Sequence, residues 1–304
     1  MFNFTRHLYA KLYIMKNIFV FIVILTSLLS FTQSRFDNVE IKAEQLSENI
    51  YVLFGAGGNI GLSVGEDGIF IIDDQFAPLS NKILSKIKTL SDKPLKFLVN
   101  THWHGDHTGG NKNIAKAGAT IIAHDNVKAR LLKPRRDGSL NPKEALPIIT
   151  FNDKLSITIN NEPIAVFHVA NAHTDGDALL YFTESNVLHT GDTYFKGRYP
   201  YIDLNSGGSV NGYIEATKRG LMVIDEDTKI IPGHGTVSNK EEYQGFLKML
   251  ETIKARVNKA IEEDKTEEDV KTDTSITKEY DDLGYGTGFI NSERIRLTFY
   301  RSLK

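Results

Sequence analysis

The segment at residues 100–111, Asn-Thr-His-Trp-His-Gly-Asp-His-Thr-Gly-Gly-Asn, restricts the fold and chemistry of this chain more than any other. It places His102, His104, Asp106 and His107 within six residues, directly after a short apolar run. Neutral imidazoles and carboxylates are ligands that a divalent ion such as zinc takes in proteins. In a tight loop, His102 and His104 can share one metal while Asp106 and His107 face a second position. A polar loop with solvated histidines is the alternative, but such crowding is costly unless a cation lies among the side chains.

A two-metal site needs further ligands, and the sequence offers three of them downstream. His173, Asp192 and His234 each follow a short apolar run and adjoin a glycine-containing turn. Site residues of layered sheet proteins commonly lie at such strand ends. We therefore expect these side chains to complete the site that begins at His102.

The order of these motifs resembles that of the metallo-β-lactamase superfamily. The motifs are His-x-His-x-Asp-His at 102–107, a lone His173, Gly-Asp at 191–192 and Pro-Gly-His-Gly at 232–235, and the resemblance extends over residues 45–260. It implies an α/β fold, a four-layer αββα sandwich, with two metals in a groove at one edge of its two sheets. It also implies a ligand assignment: His102, His104 and His173 for the first metal, Asp106, His107 and His234 for the second, and Asp192 as the bridge between them.

The same resemblance indicates which residues support the metals and which face the substrate. Asp73, at the end of a strand-like run, is similar to the carboxylate that braces a metal-binding loop through hydrogen bonds. Phe54 and Asn59 flank the Gly-rich turn of a hairpin that overhangs the groove in relatives. Aromatic and cationic side chains just beyond the bridging aspartate are also well placed to line the groove: Phe195, Lys196 and Tyr199. A surface turn for the first pair and packing for the second set are the alternatives.

Residues 1–34 have the pattern of a secretory signal. A basic region after Met15 is followed by fourteen mostly apolar residues, 18–31, and then by small residues that suit signal peptidase. The apolar run is shorter than the ~20 residues that span a bilayer, so an uncleaved membrane anchor is the less favoured alternative. Aromatic residues precede the basic region, which makes Met15 an alternative start. We expect an exported, periplasmic protein that contacts the membrane only through this segment, if it stays uncleaved.

Composition restricts the partners and the domain organisation. Hydrophobic residues make up 41% and charged residues 24% of the chain, and the formal net charge is -2, which gives no global attraction to nucleic acid or anionic lipid. The absence of cysteine excludes a lipid-modified signal cysteine and any disulfide. We expect a small-molecule substrate and one metallo-β-lactamase-like domain at 35–262. An acidic linker and a C-terminal helical extension are expected at 263–304, and nothing in the sequence specifies an oligomeric state.

The expected ligands predict hydrolysis. Zinc lowers the pKa of a bound water from about 15.7 to about 7, and two cations can share the resulting hydroxide. We therefore predict an exported enzyme with two zinc ions per chain that uses a metal-bridging hydroxide. Asp106 would orient that hydroxide or accept its proton. The bond cleaved would be a lactam, lactone, ester or thioester.

Three alternatives stay open. A β-lactamase proper is favoured by export, but Asp192 stands where the best-known zinc β-lactamases carry a cysteine or leave the bridging position unfilled. This position is more similar to that of glyoxalase II and of lactonases. An iron-dependent oxidoreductase similar to persulfide dioxygenases would use the same motifs with iron in place of zinc. A non-catalytic binding protein would be expected to have lost ligands, whereas all seven are present.

Overall fold

The computed structural model of the chain describes residues 35–135 and 137–304. The predicted signal segment at 1–34 lies outside the described residues. Residues 39–304 form one compact unit, and the described residues before it, 35–38, form a turn. Among the helices of the described part, none is long and apolar enough to cross a membrane.

The first sheet is an antiparallel meander extended by parallel strands. Its strands follow one another in sequence order: β1 (Lys42–Gln45), β2 (Ile50–Phe54), β3 (Ile60–Gly65), β4 (Gly68–Ile72), β5 (Leu95–Asn100), β6 (Thr120–His124) and β7 (Ile149–Phe151). Pairing is antiparallel from β1 to β4 and parallel from β4 to β7. The parallel pairs need crossovers, which contain the helices α1 (Ser80–Leu90), α2 (Gly105–Thr108), α3 (Asn111–Lys116) and α4 (Asp125–Leu131).

The second sheet has the spatial order β12-β11-β10-β9-β8. Its strands are β8 (Lys154–Ile159), β9 (Glu162–His168), β10 (Ala178–Phe182), β11 (Val187–His189) and β12 (Lys229–Ile231). The β8–β9 hairpin turns at Asn160 and Asn161, whose φ angles of 58° and 59° suit asparagine in a tight two-residue turn. Only β11 and β12 pair in parallel, across a connection that contains α5 (Val210–Met222), and α6 (Lys240–Glu262) follows β12.

Apolar cores between the layers stabilise a four-layer αββα sandwich, the architecture that the resemblance implies. The core between the sheets contains Phe70 of β4 and Phe182 of β10, whose rings meet edge to face at 6.2 Å. A second core lies between the outer face of the second sheet and the helices, and includes Leu188, Tyr213 and Phe246. On the first sheet, α1 buries Ile83 and Ile87 at helical spacing.

The C-terminal residues pack on the second core as helices α7 (Glu267–Thr272), α8 (Lys278–Asp282) and α9 (Ser292–Leu303). The acidic segment that we expected to be a linker is helical in part, because Thr266 and Asp269 form a capping box at the start of α7. Val270 on this helix is buried in the same core as Phe299 of α9. The apolar side chain of Val270 thus packs the acidic segment onto the core, although the composition of this segment is typical of exposed chain.

Candidate metal centre

Every predicted metal ligand lies in a loop or a single helical turn at one end of the strands. His102 follows β5, and the chain then enters α2, which contains Asp106 and His107. His173 precedes β10, whereas Asp192 and His234 follow β11 and β12. The structure brings the seven side chains into two groups whose ligand atoms lie within 4.8 Å of one another: His102, His104, His173 and Asp192 in the first, and Asp106, His107 and His234 in the second.

Asp192 lies between the two groups. Its Oδ2 atom is 3.7 Å from His102 Nε2 and 3.5 Å from His173 Nε2. Its Oδ1 atom is 3.0 Å from His107 Nε2 and 3.3 Å from His234 Nε2. Each carboxylate oxygen therefore faces a different group, which is the arrangement that a bridging ligand requires.

Asp73 sets the orientation of two histidines. It has a left-handed φ of 61°, and its carboxylate accepts from the Thr101 N–H at 2.8 Å and the Thr101 hydroxyl at 2.7 Å. The hydroxyl proton is therefore committed to Asp73, so Thr101 Oγ1 accepts from His102 Nδ1 at 3.0 Å. Asp73 also accepts from His107 Nδ1 at 2.7 Å. In their neutral forms both rings then direct an Nε2 lone pair into the site.

The other two histidines of the first group are fixed in the same way. His173 Nδ1 donates to the Tyr201 carbonyl at 2.6 Å, and His104 Nε2 donates to Asp203 Oδ2 at 3.0 Å. The remaining nitrogens, His173 Nε2 and His104 Nδ1, face each other at 2.8 Å. Two neutral rings with these tautomers present two lone pairs to each other, so a proton or a cation must lie between them.

Three buried atoms of the cluster lack a hydrogen bond within the described residues: His102 Nε2, His107 Nε2 and Asp192 Oδ1. Burying polar atoms without a partner costs about 1–3 kcal/mol each, so such atoms usually serve a ligand. All three point into the space shared by the two groups. The donor set, its orientation and its orphaned atoms therefore fit two divalent cations.

The two groups differ in their electrostatics. Burial lowers the pKa of His102 well below its usual value and that of His173 to about 4. Burial alone would also lower the pKa of His107 and His234, but the surrounding carboxylates, Asp192 first and Asp106 with it, together outweigh burial. The pKa of His107 consequently lies well above the usual range and that of His234 rises to about 9. The histidines, His107 first, overcome the effect of burial on Asp192 and hold its pKa well below the usual value.

Asp106, the predicted catalytic residue, is the most exposed of the seven ligands, with 26% of its side chain accessible. Its Oδ2 atom lies 3.3 Å from His234 Nε2. Burial alone would raise its pKa, but His107 and His234 lower it. Asp106 is therefore an ionised proton acceptor at neutral pH and is in contact with solvent.

A cleft of about 610 Å³ opens beside His234 and is lined by Phe54, Asn59 and Lys196. Two of these predicted groove residues also have structural contacts. The buried Asn59 side chain donates to the carbonyls of Pro232 and Gly235, at 2.8 Å each, and so holds the His234 turn. The Lys196 ammonium donates to the Val237 carbonyl and pairs with Glu242 at 2.8 Å.

The remaining two groove predictions are Phe195 and Tyr199. The Phe195 ring stacks on His234, with centroids 5.0 Å apart and an interplanar angle of 14°. The assignment of Tyr199 to the groove is wrong, because its ring is 1% exposed and belongs to the second core. Its hydroxyl donates to Asp281 Oδ1 at 2.6 Å, so this side chain anchors the C-terminal segment.

Sequence reasoning missed Thr101, Tyr201 and Asp203, the partners that orient the ligand histidines. Thr101 and Tyr201 act through a hydroxyl and a backbone carbonyl, which no motif marks. Asp203 contacts a histidine 99 positions earlier in the chain. The other described histidines have structural contacts: His124 stacks on His168 at 3.8 Å, and His189 lies 3.3 Å from the Asn59 carbonyl.

Comparisons with known proteins agree with this geometry. The family model described as the metallo-beta-lactamase superfamily matches residues 53–234. Hydroxyacylglutathione hydrolase of Pelagibacter ubique (strain HTCC1062) is 32% identical over 200 residues, which cover 64% of this chain and 74% of that protein. The 2,4-dinitroanisole O-demethylase subunit alpha of Nocardioides sp. (strain JS1661) is 23% identical over 193 residues, 63% of this chain, but the match spans only 56% of that relative's length.

Among solved structures, a metallo-beta-lactamase from Pontibacter korlensis superposes with a TM-score of 0.60 at 17% sequence identity, over 70% of this chain and 99% of that one. The family match covers more than half of the chain and includes all seven ligand residues. The chain therefore belongs to the metallo-beta-lactamase superfamily, whose members are mostly metal-dependent hydrolases.

Proposed function

We propose that the chain is an exported dinuclear zinc hydrolase that cleaves an ester, thioester, lactone or lactam bond of a small molecule. The observation that carries this proposal is the orientation of four histidine nitrogens toward the two oxygens of Asp192. Superfamily membership supports hydrolysis, and the similarity to a hydroxyacylglutathione hydrolase favours esters and thioesters. A bridging carboxylate supports the occupation of both positions.

The first position would be held by His102, His104 and His173, and the second by Asp106, His107 and His234, with Asp192 shared. Zinc bound there supplies an activated water at neutral pH and polarises the bond under attack. Asp73, through Thr101 and His107, keeps the ligand rings in one tautomer and one orientation. Such support typically changes metal affinity or activity by about 10–100-fold.

Asp106 is the residue that handles the proton. Its carboxylate is ionised and partly open to the cleft, so it can accept a proton from the attacking water and return it to the leaving group. The stacked ring of Phe195 covers one face of His234. The cleft beside His234 is the entry for the substrate.

Metal content and turnover test the proposal together. The mature chain, purified without added metal, is expected to contain about two zinc ions and to hydrolyse at least one of an acyl thioester, a lactone or a chromogenic cephalosporin. His104→Ala should remove that activity, whereas His168→Gln, a histidine outside the cluster, should retain it. Hydrolysis of the cephalosporin alone would favour the β-lactamase alternative. One iron per chain with oxygen uptake would favour the dioxygenase alternative and refute the zinc hydrolase.

Export rests on the sequence of residues 1–34 and has its own test. The chain is expressed with its natural N-terminus, and the protein in the periplasmic fraction is sequenced from its N-terminus. A mature chain that begins near residue 35 is expected. An intact N-terminus on cytoplasmic protein would refute export without affecting the proposed chemistry.

A further inference from the structure

The C-terminal segment reaches the cleft, although it lies outside the family match. Tyr199 ties this segment down through its hydroxyl bond to Asp281 and through a backbone bond to the Tyr285 carbonyl at 3.4 Å. Beyond this anchor, Gly288 lies against Arg198, since a Cβ at Gly288 would be 3.8 Å from the Arg198 Cβ. Arg198 lines the same cleft as His234.

An aromatic series connects the segment to the first ligand group. The Tyr201 ring stacks on His104, with centroids 5.8 Å apart and an interplanar angle of 25°. Phe289 meets Tyr201 edge to face at 5.7 Å. The Phe289 side chain is nevertheless 74% exposed. An apolar surface therefore lies beside a metal ligand and is open to a ligand from solvent.

Two arginine side chains lie near this apolar surface. The Arg294 guanidinium lies 4.7 Å from the Phe289 ring centroid and 5.3 Å from that of Tyr201. A guanidinium stacked on rings uses its face, so its in-plane N–H groups remain available for a carboxylate. Arg198 and Arg294 have no acidic partner within the part of the chain that the structure describes, whereas Lys196 is paired with Glu242.

We propose that Arg198, Phe289 and Arg294 form a substrate subsite with the Tyr201 ring, and that it binds a carboxylate joined to an aromatic or other apolar group. This inference rests on the proposed function, because it assumes that the substrate bond is cleaved at the metal ligands, which include Asp106 and His104. The arginines hold the carboxylate at one end of the substrate. The C-terminal segment thereby selects anionic substrates, a property that the family match does not include.

A matched pair of substrates tests the subsite by kinetics. The phenylacetyl thioesters of mercaptoacetate and of mercaptoacetamide differ only in the carboxylate. Arg198→Gln and Arg294→Gln should each lower kcat/KM for the mercaptoacetate thioester about tenfold, mainly through KM, the loss of one charged hydrogen bond. The mercaptoacetamide thioester should be unaffected. Arg301→Gln, an exposed arginine of the same helix that pairs with Glu267, is the control and should change neither.

Binding tests the subsite without turnover. Trp103 is the single tryptophan and lies 4.9 Å from His104, so its fluorescence reports on ligands at the site. Wild type should bind 4-phenylbutyrate about tenfold more tightly than uncharged 4-phenylbutyramide, and the double variant Arg198→Gln/Arg294→Gln should lose this preference. Phe289→Ala should weaken both ligands.

The outcomes separate the two proposals. A wild-type protein that hydrolyses none of the bonds refutes the proposed function, and the binding experiment still decides the subsite. An active protein whose preference for the anion survives in the double variant, or which has no such preference, overturns the subsite. Equal losses for both thioesters in the arginine variants overturn it as well, because they indicate a structural role.

Discussion

The two ligand groups of the centre differ in burial and in charge. In the first, His102 and His173 are buried and neutral, because burial lowers the pKa of both rings. In the second, His107 and His234 have a raised pKa beside Asp192, and His234 is 20% exposed. The first position therefore offers preformed lone pairs, whereas the second holds protons that a metal must displace.

This difference indicates an order of metal binding. A cation entering the first position meets rings whose tautomers are set by Asp203, Tyr201 and Thr101. A cation entering the second position competes with protons on His107 and His234. We expect the first position to fill at lower metal concentration and to retain its metal longer in acid. Substitutions at the ligands and their partners, and titrations in acid, test this order.

Asp192→Asn should produce the largest effect, because this carboxylate serves both groups. The variant leaves the histidines of the second group without their principal anionic partner. We expect the zinc affinity of the second position to fall on the order of a thousandfold, equivalent to about 4 kcal/mol, and hydrolysis to fall with it. Competition with a chromophoric chelator measures the affinity. Two zinc ions still bound tightly would contradict the bridging role.

Acid should separate the two positions in the wild type. In the metal-free protein His234 has a pKa of about 9, above its usual value, so it is protonated at pH 7 and its affinity for zinc rises as pH rises toward 9. Each proton displaced lowers the apparent affinity about tenfold per pH unit below that pKa. His173, with a pKa of about 4, is already neutral at pH 6. In zinc titrations at pH 6, 7 and 8, the affinity of the second position should rise steeply with pH, whereas that of the first should stay constant. The same pH dependence at both positions would refute the order.

Asp73→Asn and Asp74→Asn form a matched pair of neighbours. Asp73 accepts three hydrogen bonds that orient His102 and His107, so its amide variant should weaken zinc binding at both positions by about 10–100-fold. Burial raises the pKa of Asp74 well above its usual value, which favours the neutral carboxyl, and an amide resembles that form in shape and charge. Its one hydrogen bond, from the Gly110 N–H, survives in the amide. Zinc affinity in Asp74→Asn should equal that of wild type, and a loss there comparable to that of Asp73→Asn would show that folding, not orientation, is measured.

The sequence predicts the residues that lie in local motifs, but it does not predict contacts between residues that are distant in the chain. The seven ligands are visible because four are adjacent in the chain and three stand at the ends of apolar runs. Asp203 and Tyr201 cannot be recognised from the sequence, since each acts on a histidine that is distant in the chain. Tyr199 illustrates the error this causes: its position near Asp192 suggested the groove, but its partner Asp281 lies 82 positions later. The sandwich follows from the resemblance that the motifs carry, whereas the docking of the acidic segment through Val270 is a tertiary contact.

Asp203→Asn should act on the first group alone. The carboxylate accepts from His104 Nε2 at 3.0 Å. Burial alone would raise the pKa of Asp203, but this bond, a bond from Ser206 and the nearby histidines together lower it to about 2. An amide presents either a weaker acceptor or a donor to that nitrogen, so the tautomer of His104 is no longer fixed. We expect about a tenfold loss of zinc affinity at the first position and none at the second. A uniform loss at both positions would indicate that the groups are not independent.

Phe195→Leu should have the smallest effect and should act on the second group. The ring stacks on His234 at 5.0 Å but lies 6.3 Å from His173, which the Tyr201 carbonyl also holds. Leucine keeps the apolar volume and removes the stacking, which is worth about 0.5–1.5 kcal/mol, so the second position should lose about threefold to tenfold in zinc affinity. Phe167→Leu, whose ring lies under Arg219, is the control and should bind zinc like wild type. A larger loss of zinc affinity at the first position would contradict the proposed order, because it would show that the buried group binds its metal less firmly.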